Sequence, residues 1–95
     1  MNVRKDQKVE KGRVYGGISR EERVAQRREQ FLNAGLEVFG TAGFRCATVR
    51  RLCSEAKLTD RYFYESFANI EALLIAVYTH QMDLIQDQLL AAAPD

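Results

Sequence analysis

The chain has 95 residues, which is enough for one domain and too few for two. A chain of this length buries only a small core, so a catalytic domain with a deep substrate pocket is not expected. Leucine, alanine, glutamate, glutamine and arginine dominate, whereas proline occurs once and tryptophan is absent. This composition favours helices over a β-sandwich or a disulfide scaffold.

The net charge of +1 conceals an uneven distribution of charge along the chain. Residues 1–30 carry nine basic and five acidic side chains, and residues 31–64 carry five and three. Residues 65–95 carry five acidic side chains and no lysine or arginine. Such asymmetry predicts that the basic part meets an anion such as nucleic acid, with a merely solvated charged surface as the alternative.

Side chains that perform catalysis or bind metals are scarce in this sequence. Cys46 and Cys53 have a spacing that matches no zinc or redox motif, and His80 is the only histidine. We expect both cysteines to be buried as small apolar side chains. There is also no nucleophile–base pair, no paired carboxylate site and no glycine-rich phosphate loop. The sequence therefore predicts a protein that is not an enzyme, with no catalytic residue, no cofactor and no metal.

The N-terminal segment is polar, and its scattered charges and glycines predict a flexible basic tail over 1–18. It lacks the apolar stretch of a signal peptide. The longest apolar run, 72–78, is too short to span a bilayer. We therefore expect a cytoplasmic protein with no membrane partner.

The first helix is predicted at about 20–40. Ser19 and Glu22 have the spacing of a capping box, which marks a helix start. Apolar residues then recur at helical intervals, and Gly40 and Gly43 are expected to end the helix. The residues of this apolar face are Val24, Phe31, Leu32, Gly35, Leu36 and Phe39.

Two short helices are predicted next, at about 48–56 and 60–66. Thr48 is a suitable N-cap for the first of them. In the second, Phe63 and Phe67 are expected to point inward, because residues four apart share one helix face.

A fourth helix is predicted after Asn69, which can cap it, and it ends before Pro94. Its long apolar stripe consists of Ile70, Leu73, Leu74, Val77, Tyr78, Leu84, Ile85 and Leu89.

Two short helices joined by a tight turn and braced by a longer helix on each side form a helix-turn-helix arrangement. Such a unit places its second short helix in the major groove of DNA. Arg61 and Tyr62 lie in the first turn of that helix, and arginine is the commonest reader of guanine. The sequence thus predicts an all-α, homeodomain-like three-helix DNA-binding domain with a fourth connecting helix.

Five local motifs follow one another over residues 39–74 of the chain. They are Phe-Gly-Thr-Ala-Gly-Phe at 39–44, Ala-Thr-Val at 47–49, Leu-Cys-Ser-Glu-Ala at 52–56, Phe-Tyr-Glu-Ser-Phe at 63–67 and Asn-Ile-Glu-Ala-Leu-Leu at 69–74. In this order they resemble the N-terminal DNA-binding domain of TetR/AcrR-type transcriptional regulators. The resemblance extends from about Arg27 to Tyr78.

The resemblance implies DNA-binding roles for Thr48, Arg50, Asp60, Arg61, Tyr62, Tyr64 and Ser66. The three residues at 60–62 occupy variable base-reading positions, and Arg50 stands where relatives contact a base or a phosphate. Thr48 and Tyr64 match phosphate-binding positions. Ser66 replaces a common histidine and is expected to make a shorter phosphate contact.

Three departures from the family pattern have physical consequences. Lys57 stands where the family has a turn glycine, which predicts a positive φ in a residue that disfavours it. Asp60 and Glu65 add negative charge close to the DNA backbone and are expected to weaken non-specific binding.

We expect three parts in the chain. Residues 1–18 form the flexible tail, 19–68 the TetR-type helix-turn-helix domain, and 69–93 the fourth helix, which begins a regulatory and dimerisation domain absent from this chain. The resemblance implies a sequence-specific regulator, most often a repressor, that binds double-stranded DNA at a palindromic operator.

Partners other than DNA are also implied. In the family that it resembles, the second half of the last helix meets the regulatory domain, so Leu84, Ile85, Leu89 and Leu90 are expected to lack cover here. The last helix is therefore expected to mediate a homodimer or a heterodimer. No small-molecule inducer is expected for this chain. The alternative function is a protein-interaction module that heterodimerises with a full-length relative through its last helix.

Overall fold

The computed structural model describes residues 18–93, and this part of the chain contains helices and turns but no strand. The helices are α1 (Arg20–Ala42), α2 (Val49–Ala56), α3 (Asp60–Ser66) and α4 (Ile70–Ala92). The four predicted helices are confirmed, with ends within two residues of the expected positions. The predicted tail, apart from Ile18, lies outside the described residues.

Three of the helices begin at a side chain that caps the first turn. Ser19 Oγ accepts from the backbone N–H of Glu22 at 3.1 Å, and the Glu22 carboxylate accepts from the Ser19 N–H at 3.0 Å, which confirms the capping box. Thr48 and Asn69 each accept from the backbone N–H three residues on, at 3.0 and 2.8 Å. Thr59 precedes α3 without a side-chain capping bond.

The turn between α2 and α3 closes through a left-handed residue. Lys57 has φ 60° and ψ 40°, as its place in a glycine position predicts. The Leu58 N–H donates to the Cys53 carbonyl at 3.0 Å, and the Lys57 N–H donates to the Ser54 carbonyl at 3.3 Å. This Schellman pattern satisfies the last carbonyls of α2 and turns the chain sharply into α3.

The prediction that Gly40 helps to end α1 is wrong. The helix continues through Gly40 and ends at Gly43, whose φ of 84° is favoured by glycine. The Gly43 N–H donates to the Phe39 carbonyl at 3.2 Å. The chain then makes a 3₁₀ turn, Phe44–Cys46, which no pattern in the sequence predicted.

The core lies where all four helices meet. Each helix contributes one large, fully buried side chain, namely Phe31, Leu52, Phe63 and Leu73. The rings of Phe31 and Phe63 meet edge to face, with centroids 5.4 Å apart, and Phe67 lies 5.8 Å from Phe63. The inward direction predicted for Phe63 and Phe67 is therefore confirmed.

Some predicted core residues lie at the surface. Leu36 is 45% exposed, because the buried residues of α1 mark a different face of the helix. Cys46 is exposed because the 3₁₀ turn places it outside the core, so only Cys53 has the predicted burial. On α4, Leu73 and Val77 are buried. Tyr78 and all the large apolar residues that follow it are exposed.

Helices α1 and α4 approach each other closely at Gly35. A Cβ atom on Gly35 would lie 3.0 Å from Val77 Cγ2 and 3.2 Å from Leu73 Cδ2. A side chain at this position would therefore separate the two helices. Gly40, in the same helix, has no such neighbour within 4 Å.

An ion pair joins α1 to α3. Arg27 Nε and Nη2 each donate to a different carboxylate oxygen of Glu65 at 2.9 Å. These hydrogen bonds lower the pKa of Glu65 from its ordinary value. Desolvation by burial opposes the shift, and the charges of Arg27, Arg20 and Arg61 add to it. The pair fixes the C-terminal part of α3 against α1.

The same substitution at two glycines of α1 is expected to have opposite effects on stability. Gly35→Leu should lower the free energy of unfolding by about 1–3 kcal/mol, because it overpacks the crossing with α4. Gly40→Leu should raise it by about 0.5–1 kcal/mol, because leucine is the better helix former at an open position. Urea unfolding followed by circular dichroism measures both; equal effects would contradict the close approach at Gly35.

Glu65→Gln is expected to make the fold less stable at neutral pH and to have little effect in acid. Because the folded state lowers the Glu65 pKa, its stabilising effect is present above the ordinary pKa of glutamate and disappears as the pH falls through the folded value. Thermal unfolding across this pH range tests the expectation. Glu55→Gln, a matched change on the exposed side of α2, is the control, and a pH-independent loss in Glu65→Gln would contradict the ion-pair account.

Candidate nucleic-acid interface

Helices α2 and α3 contribute side chains to one surface of the helix-turn-helix. Arg50 of α2 and Asp60 and Tyr64 of α3 border a shallow depression, whose floor includes Val49 and Cys53. Residues ten or more positions apart in the sequence thus become neighbours. Three of the seven predicted site residues are brought together here.

The N-terminus of α2 lies at an exposed end of this surface. The Thr48 hydroxyl oxygen accepts the capping bond from Arg51, so its proton is still available to donate. Arg50 and Arg51, in the first turn, are exposed. Free backbone N–H groups and two guanidinium groups make this helix end suited to an anion such as a phosphate.

The outer side of α3 presents charged and aromatic side chains. Asp60 and Arg61 are exposed, and Tyr64 is 57% exposed. The Tyr64 ring meets Phe63 edge to face, with centroids 5.2 Å apart. Since Phe63 is fully buried, this contact fixes the direction of the Tyr64 side chain, which is otherwise free to bind a phosphate or a base.

Two guanidinium groups lie near the ring of Tyr62. Arg27 of α1 lies 4.3 Å from the ring centroid, and Arg61 lies 5.8 Å from it. The side chain is half-buried and less free to reach a base than that of Arg61. No role for Arg27 is predictable from the sequence, because its partners Tyr62 and Glu65 are more than thirty residues away and share no local motif with it.

Ser66 differs from the other predicted site residues. Its hydroxyl oxygen is buried and has no hydrogen-bond partner in the structure. The side chain therefore does not present its hydroxyl to a phosphate in this conformation. The contact predicted from the family resemblance lacks geometric support here.

The surface around α3 carries less unpaired negative charge than the sequence suggests. Glu65 was expected to repel the DNA backbone, but Arg27 pairs with it through both carboxylate oxygens.

Burial, with a smaller contribution from the charge of Asp60, raises the pKa of the Cys53 thiol. The thiol is therefore neutral at physiological pH, and Asp60 is the carboxylate that borders the depression.

Within residues 18–93, no group of three or more histidine, cysteine, aspartate or glutamate side chains is arranged to bind a metal ion. None of the described helices is both long and apolar enough to cross a membrane.

Comparison with known protein families gives a match over part of the chain. Residues 31–77, about half of the chain, match the family described as bacterial regulatory proteins, tetR family. Searches among curated proteins and among solved structures gave no significant match. The matched segment contains α2, α3, the C-terminal part of α1 and the N-terminal part of α4. The chain therefore belongs to the tetR family of bacterial regulatory proteins, whose helix-turn-helix DNA-binding domain it carries at residues 31–77.

Proposed function

We propose that this protein is a cytoplasmic, sequence-specific repressor that reads the major groove of double-stranded DNA with α3. The observation that supports this most is the shared surface of α2 and α3, where Arg50 and Tyr64 lie beside the first turn of the reading helix. The buried Phe63 and the Arg27–Glu65 pair fix α3 against α1, so that its outer side forms part of that surface.

Arg61 is the proposed reader of a base. It is exposed in the first turn of α3, the part of a reading helix that reaches base edges. Its guanidinium can donate two parallel hydrogen bonds to O6 and N7 of a guanine. Asp60 and Tyr62 occupy the neighbouring positions, where Asp60 can accept a bond from a cytosine amino group.

The phosphate contacts are proposed for the residues that surround Arg61. Arg50 supplies a positive charge, Thr48 a hydroxyl beside the α2 N-terminus, and Tyr64 a phenolic hydroxyl. These contacts orient the domain on the duplex and carry no sequence information themselves. Ser66 is left out because its hydroxyl is buried.

Repression would follow from occupation of a promoter, without catalysis, cofactor or inducer. Two copies on a palindromic operator would place their α3 helices in successive major grooves, about 34 Å apart. RNA polymerase would then be excluded from the same stretch of DNA.

Arg61→Ala and Arg61→Lys are both expected to weaken binding to the operator. We expect a loss of roughly 5- to 150-fold for each, because lysine keeps the charge but not the bidentate geometry. Fluorescence anisotropy with a duplex from the promoter beside the gene, and with a scrambled duplex, measures the loss and the discrimination.

Arg50→Ala is expected to weaken binding to both duplexes and to reduce the salt dependence.

Two results would contradict the proposal. If the wild-type protein binds both duplexes equally, only non-specific electrostatic binding remains. If Arg61→Lys keeps the full discrimination, Arg61 contacts a phosphate and does not read a base.

A further inference from the structure

Helix α3 carries a carboxylate beside its exposed arginine. Arg61 and Glu65 lie four residues apart in the helix, so their side chains share one face and attract each other. The hydrogen bonds from Arg27 lower the pKa of Glu65 most, and the charge of Arg61 adds to this effect, so the Arg61 guanidinium lies within electrostatic reach of the carboxylate. Glu65 can therefore compete with DNA for the residue that is proposed to read a base.

In the structure, Arg27 of α1 takes this carboxylate instead. Its Nε and Nη2 each donate to a different oxygen of Glu65 at 2.9 Å, a bidentate geometry that is among the strongest for an ion pair. With exposures of 19% and 26%, both side chains are partly shielded from water, so their attraction is screened less than at an open helix face. Among residues 18–93, no carboxylate is paired with Arg61, whose guanidinium lies 5.8 Å from the centre of the Tyr62 ring.

We propose that Arg27 is a positioning residue for DNA recognition: by occupying both oxygens of Glu65, it keeps Arg61 unpaired and able to donate to a base. This role rests on the proposed function, because it requires that Arg61 reads DNA. Arg27 itself needs no contact with DNA. It acts from α1, and its effect reaches the duplex through Glu65 and Arg61.

The ion pair also fixes α3 against α1, and the two roles predict different results for two variants. If the pair only holds α3 in place, Arg27→Ala and Glu65→Gln break it alike and should reduce discrimination alike. If Arg27 protects Arg61, only Arg27→Ala leaves a carboxylate free to capture Arg61. Glu65→Gln removes the pair and the competitor together, so Arg61 stays unpaired.

Fluorescence anisotropy with the promoter duplex and the scrambled duplex measures discrimination as the ratio of the two dissociation constants. Arg27→Ala should reduce this ratio roughly 2- to 5-fold, because binding must first break an exposed ion pair. Glu65→Gln should tighten binding to both duplexes and leave the ratio unchanged. The double variant Arg27→Ala/Glu65→Gln should restore the wild-type ratio, which the loss of a purely structural contact would not allow.

Arg28→Ala is the matched control. Arg28 is the next residue of α1, but its guanidinium lies 5.1 Å from the centre of the Phe67 ring and makes no ion pair with Glu65. This variant should keep the wild-type ratio. Circular dichroism at the temperature of the measurement shows whether each variant is folded.

A second measurement tests the capture of Arg61 without DNA. The pKa of Glu65 is followed by ¹³C NMR of its carboxyl carbon, with and without Arg61→Ala, in the wild type and in Arg27→Ala. If Arg61 takes the carboxylate once Arg27 is removed, Arg61→Ala should raise this pKa more in the Arg27→Ala background than in the wild type.

The outcomes separate this role from the proposed function. An equal rise of the Glu65 pKa in both backgrounds would overturn the role of Arg27, even where the wild type discriminates between the duplexes. Equal loss of discrimination in Arg27→Ala and Glu65→Gln, an unchanged ratio in Arg27→Ala, or a double variant without rescue would also overturn it. A wild type that binds both duplexes equally would contradict the proposed function, and this role with it.

Discussion

The structure depends on the burial of Phe63. This side chain comes from α3, a helix of seven residues that could not persist alone in water. Its ring meets Phe31 of α1 edge to face and also contacts Phe67 and Tyr64. Leu52 and Leu73 complete the same core from α2 and α4. One aromatic ring thereby fixes the helix that is proposed to read DNA, and it also directs an exposed tyrosine on that helix.

A second interaction controls the orientation of α3 from outside the core. Arg27 binds Glu65 through two hydrogen bonds and also covers the Tyr62 ring. A carboxylate that would oppose DNA is thus neutralised, and an aromatic side chain beside Arg61 is held in place. If α3 reads DNA as proposed, α1 would therefore influence recognition although it lies outside the unit formed by α2 and α3.

Local signals in the sequence were sufficient for the helices and not for the contacts between them. Caps at Ser19, Thr48 and Asn69 act within one turn, so their spacing reveals where the helices begin. Lys57 was recognisable as left-handed because the family places glycine there. The role of Arg27, the buried hydroxyl of Ser66 and the exposure of Leu36 depend on how separate helices pack, which no local pattern records. Likewise, the apolar residues of α4 read as one stripe in the sequence, and only packing against α1 separates them into two faces.

The central claim is that one surface, formed by α2 and α3, binds DNA. Titration of ¹⁵N-labelled protein with the operator duplex, followed by amide chemical shifts, tests it residue by residue. The account predicts that the largest changes occur at the N-terminus of α2 and along α3, around Arg50, Arg61 and Tyr64. Changes centred on the second half of α4, with α3 unaffected, would contradict it.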